Sequence, residues 1–66
     1  MNSEDLCKYI RNTGQVPLRI DDFDDDWTPA GEEYRRQLVV DGLIELREGG
    51  IVLTEAGERK AEESKL

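Results

Sequence analysis

The chain has 66 residues, with 16 Asp and Glu against 9 Lys and Arg, no His and one Cys, for a net charge of −7. A chain this short buries only about 60% of the surface its unfolded form exposes, which allows one compact core and argues against a large enclosed active site. The missing His removes the commonest general base and zinc ligand, the lone Cys7 cannot close an internal disulfide, and no apolar run approaches the roughly 18 residues of a membrane span.

The surplus charge is local. Residues 21–33 hold Asp21, Asp22, Asp24, Asp25, Asp26, Glu32 and Glu33 and no base, so the rest of the chain carries 9 acids against 9 bases and is neutral. The start, MNSEDLCKYI, lacks the basic and apolar regions of a signal peptide. The expectation is a single domain over 1–66, soluble and cytoplasmic, from a bacterium or phage.

In chain order, the first predicted element is a helix over Ser3–Thr13. Ser3 suits the N-cap, Glu4 and Asp5 suit the positive end of the dipole, and Gly14 supplies the stop. Leu6, Tyr9, Ile10 and Thr13 recur at i, i+3, i+4 and i+7 and make one apolar face, with Cys7 on its flank as a small buried hydrophobe. Gln15 to Ile20 reads as an extended segment that points Val16, Leu18 and Ile20 one way, and Pro17 confines it to a sheet edge. The acidic run then reads as a loop, or a single helical turn, tied to the core by Phe23 and Trp27.

A helix over Pro29–Asp41 follows. Thr28 is placed as N-cap, Pro29 at the first helical position and Glu32 and Glu33 in the first turn. Ala30, Tyr34, Leu38 and Asp41 fall on one face, Glu32, Glu33, Arg36 and Val40 on the other, and Gly42 is the left-handed C-terminal residue. Leu43 to Arg47 and Ile51 to Leu53 form a hairpin around Glu48-Gly49-Gly50, with Ile44 and Leu46 sharing a face with Ile51 and Leu53. Thr54 caps a last helix in which only Ala56, Ala61 and Leu66 are apolar and whose final turn frays. Trp27-Thr28-Pro29-Ala30-Gly31-Glu32 is echoed 26 residues later by Leu53-Thr54-Glu55-Ala56-Gly57-Glu58, which suggests one helix-start solution used twice.

Leu38, Asp41-Gly42-Leu43-Ile44, the Gly49-Gly50 hairpin and Leu53-Thr54-Glu55-Ala56-Gly57 together resemble the second half of a winged-helix domain of the MarR and PadR type, over Tyr34 to Lys60, or 27 of 66 residues. The resemblance implies an α+β winged helix of three helices with a two- or three-stranded antiparallel sheet. It also implies a recognition helix and wing that contact duplex DNA, here through Arg35, Arg36, Gln37 and Arg47, with Lys8, Arg11 or Arg19 on the phosphate backbone. The signs oppose that use, because Glu32 and Glu33 lead the recognition face and five aspartates stand beside it, whereas DNA affinity rests on neutralising phosphates.

Asp22, Asp24, Asp26 and Glu33 match positions 1, 3, 5 and 12 of a calcium loop, yet Trp27 replaces the required Gly and Pro29 takes the apolar position, so no metal site is expected. A solvated carboxylate run supplies neither a raised pKa nor a nucleophile, so neither catalysis nor a cofactor is expected. The expected function is a regulatory or adaptor module, monomer or homodimer, that meets a basic protein surface through Asp21, Asp22, Asp24, Asp25, Asp26, Glu32 and Glu33. Duplex DNA is the alternative partner.

Overall fold

The computed structural model describes residues 2–63. Helix α1 spans Ser3–Thr13, as its apolar spacing predicts. Its N-cap is Asn2 and not Ser3: the Asn2 side chain accepts from the Asp5 amide at 2.9 Å, and Ser3 is already helical. Leu6, Cys7 and Ile10 are buried, and Gly14 ends the helix at φ +70°.

Strand β1 is only Leu18–Arg19. It pairs antiparallel with the later strand β3, Leu18 opposite Ile51 and Arg19 opposite Gly50, at the sheet edge where a neighbouring Pro17 is tolerated. The longer extended segment expected from Gln15 does not form. The chain bends at Val16 and Pro17, which leaves Val16 83% exposed while Leu18 is buried, and Ile20 already opens a helix.

That helix, α2, spans Ile20–Asp26 and replaces the expected loop or single turn. Ile20, Phe23 and Trp27 recur at i, i+3 and i+7, so one face is apolar. Phe23 is fully buried and Ile20 and Trp27 pack on the core. Burial of that face outweighs the mutual repulsion of five aspartates. Among the described residues there are therefore four helices, not three.

Helix α3 spans Gly31–Val40, shorter at both ends than expected. Thr28 does not cap it; its hydroxyl donates to the Asp24 carbonyl at 3.2 Å while residues 27–30 form the turn between the helices. The contact that sets this corner is Gly31, where a Cβ would lie 2.6 Å from Asp24 Cα and carbonyl oxygen. At the far end Gly42, at φ +75°, and Leu43 donate to the carbonyls of Val39 and Leu38, a Schellman closure.

Strands β2 (Ile44–Arg47) and β3 (Gly50–Leu53) form a hairpin in which Ile44 faces Leu53 and Leu46 faces Ile51. The turn is the two residues Glu48 and Gly49, both at positive φ, with Gly50 already in β3. Helix α4 spans Glu55–Glu63 and packs on α1. Thr54 caps it as expected, accepting from the Gly57 amide at 3.1 Å while donating to the Gly42 carbonyl at 2.6 Å. Ala61 is buried and Ala56 exposed; Leu66 and the fraying turn lie outside the described residues.

The sheet order is β1-β3-β2, and the core joins Leu6, Cys7 and Ile10 to Leu18, Phe23, Leu38, Leu43, Ile44, Ile51 and Ala61. This α+β arrangement of helix, strand, two helices, hairpin and helix is consistent with a winged-helix-like fold.

Candidate interaction face

All seven acids singled out above lie on α2 and α3, which pack against each other. Asp21 and Asp25 stand one turn apart on α2, and Asp22 and Asp26 form a second such pair. Like charges at that spacing destabilise a helix by about 0.2–0.5 kcal/mol per pair. Asp21, Asp22, Asp25 and Glu33 are exposed, and among the described residues none of their side chains takes part in a hydrogen bond or ion pair.

The other three carboxylates have internal duties. Asp24 is half-buried and takes two hydrogen bonds from Arg35, at 3.0 and 2.9 Å. Asp26 accepts from the Tyr9 hydroxyl, which ties α2 to α1, and Glu32 accepts from Arg36 one turn along α3. Burial and then the hydrogen bond to Asp26 push the Tyr9 hydroxyl up to about 12. The Arg35 guanidinium is raised in turn by its bonds to Asp24.

The residues assigned to DNA are each engaged within the chain. Arg35 meets Asp24, Arg36 meets Glu32, Arg47 meets Glu45 at 2.8 Å, and Gln37 donates to Asp41 at 3.0 Å. Arg36 and Arg47 are exposed, and exposed pairs hold weakly, but each cation carries its own counter-charge to any surface it meets. Lys8, Arg11 and Arg19 are exposed and form no ion pair among the described residues; Arg19 lies beside Asp21 and Gly49 in a shallow depression. A second depression at the leading end of α3 is lined by Pro29, Glu32, Glu33 and Arg36, so its charge is net acidic.

Phe23 and Trp27 belong to the core and not to the exposed face. Trp27 packs edge-on against Tyr9 and Tyr34, with ring centres 5.4 and 6.2 Å away, and its Nε1 is enclosed without a hydrogen-bond partner among the described residues. The calcium-loop spacing does not become a cage. Asp22, Asp24 and Asp26 sit on a helix that turns Asp24 to Arg35 and Asp26 to Tyr9, and among the described residues no group of three or more His, Cys, Asp or Glu is placed to hold a metal ion.

Sequence reasoning did not find the Tyr9 bond to Asp26 or the close approaches of Gly31 and Gly57. Their only sequence signal was a tyrosine within α1's apolar face and the Ala-Gly pair repeated at both helix starts. No helix among the described residues is long and apolar enough to cross a membrane. The fold thus defines a small α+β domain of winged-helix-like order. No family model, curated protein or solved structure matches the chain.

Proposed function

We propose that the chain is a non-catalytic regulatory or adaptor module that acts in the cytoplasm by protein contact, presenting the acidic face of α2 and α3 to a basic protein surface. The observation that carries this reading is an asymmetry of pairing. Asp21, Asp22, Asp25 and Glu33 face solvent with no side-chain hydrogen bond or ion pair among the described residues, while Arg35, Arg36, Gln37 and Arg47 are each held by an acidic side chain of the same chain. A field of this kind steers a basic partner and sets its orientation, and it repels phosphate. Since the repulsions of Asp21 with Asp25 and of Asp22 with Asp26 oppose helix stability, recognition gives a better account of the exposed carboxylates than folding does.

The second reading is a duplex-DNA regulator of MarR or PadR type, in which Lys8, Arg11 and Arg19 supply backbone contacts. Titrating labelled duplex DNA with the protein at low salt separates the two. The protein-contact reading predicts no saturable binding. Saturable binding that weakens steeply with salt and is reduced by Arg36→Ala would replace it with the DNA reading.

A further inference from the structure

Strand β2 is one of the two outer strands of the sheet, and its free edge is defined by the hairpin. The Thr54 amide donates to the Leu43 carbonyl at 3.0 Å, and a two-residue turn makes Arg47 and Gly50 a hydrogen-bonded pair. Alternation then turns the N–H and C=O groups of Ile44 and Leu46 away from β3, and among the described residues no strand pairs with that side. Leu46 is 49% exposed although its cross-strand neighbour Ile51 is fully buried. Among the described residues the most exposed large apolar side chains are Val16, Val39, Val40 and Leu46, and the last three lie on β2 or on the end of α3 that leads into it. Glu45 and Arg47 project from the opposite face of β2, exposed and paired with each other.

The segment Glu45-Leu46-Arg47 is self-complementary about its centre. We propose that the β2 edge docks a second copy of this chain, antiparallel, with Leu46 opposite Leu46. In that register the two Leu46 residues exchange two N–H to C=O bonds, each Glu45 lies opposite the second copy's Arg47, and the two leucine side chains cover one another. Charged residues on an edge strand usually discourage pairing. Here their signs do so selectively: centring the pair one residue earlier sets Glu45 against Glu45, and one residue later sets Arg47 against Arg47, so only the Leu46-centred register is attractive. The acidic face on α2 and α3 takes no part in this contact, and the inference stands apart from the protein-contact reading.

Sedimentation equilibrium on the full chain tests it with a charge swap. The wild type should rise with concentration from the 7.6 kDa monomer to twice that mass. Glu45→Arg gives an edge with two positive charges and Arg47→Glu one with two negative charges; each alone should stay monomeric with an unchanged circular dichroism spectrum. An equal mixture of the two should recover the dimer. A wild type that remains monomeric up to about 1 mM, single variants that dimerise as well as wild type, or a mixture that fails to associate would each overturn the proposal.

Discussion

Arg35 on α3 grips Asp24 on α2 through two parallel hydrogen bonds, Nε to Oδ1 at 3.0 Å and Nη2 to Oδ2 at 2.9 Å, with both side chains less than one-third exposed. The pair fixes the angle between the two helices that carry the acidic face. It also sets one carboxylate against one cation, which leaves the net charge of the face unchanged and Arg36 as the one arginine of α3 with an exposed side chain.

Asp24→Asn should therefore lower stability by about 1–2 kcal/mol, because it breaks a charge-assisted, partly buried pair. Asp25→Asn, one residue along and exposed, should leave stability unchanged or raise it slightly by relieving repulsion. Urea unfolding midpoints compare the two. Equal effects at both positions would deny the Asp24 pair a structural role.

Two glycines should resist any side chain. A Cβ at Gly57 would lie 2.0 Å from the Leu43 carbonyl oxygen, and one at Gly31 would lie 2.6 Å from the Asp24 backbone. Gly31→Ala and Gly57→Ala should each cost about 2 kcal/mol or more, since backbone must shift to admit the methyl group. Thermal or urea unfolding reads this directly.

The two threonines of the repeated helix start should behave differently. Thr54 accepts from the Gly57 amide and donates to the Gly42 carbonyl, so Thr54→Ala should cost about 1–2 kcal/mol. Thr28 has one exposed bond to the Asp24 carbonyl and caps nothing, so Thr28→Ala should cost clearly less. Unfolding midpoints of the two variants provide the comparison.

What the repeat shares is the glycine contact rather than the cap, and that explains which parts of the fold were legible in the sequence. The bounds of α1 and the hairpin register follow from short-range signals, the spacing of Leu6 and Ile10, the stop at Gly14 and the turn signal Glu48-Gly49-Gly50, of which Gly50 belongs to β3. Helix α2 was hidden because five aspartates masked the helical spacing of Ile20, Phe23 and Trp27, which only tertiary burial makes decisive. The exposure of Asp21, Asp22, Asp25 and Glu33 was legible because charge without an internal partner stays at the surface. The inward turn of Asp24 and Asp26 was not, since their partners Arg35 and Tyr9 lie 11 and 17 residues away.

Alkali should destabilise the fold in two overlapping steps. Burial raises the Cys7 thiol from 9.0 to about 11, and burial with the Asp26 hydrogen bond raises the Tyr9 hydroxyl from 10.0 to about 12. Both folded values exceed the unfolded ones, so the stability these groups contribute is complete below pH 9.0 and is lost as pH rises through about 11 for Cys7 and about 12 for Tyr9. Cys7→Ala and Tyr9→Phe should each flatten their part of that decline in urea midpoints measured against pH. A wild-type midpoint unchanged across the window would contradict the assignment.

The most direct test of the acidic face is paired capture from one cell extract. The baits are the wild-type chain and a variant carrying Asp21→Asn, Asp22→Asn, Asp25→Asn and Glu33→Gln, which spares Asp24 and Asp26 and should have an unfolding midpoint no lower than the wild type's. The account predicts that a basic protein is retained by the wild type at about 0.15 M salt, released as salt rises, and lost from the variant. Equal recovery of the same protein on both baits would contradict it.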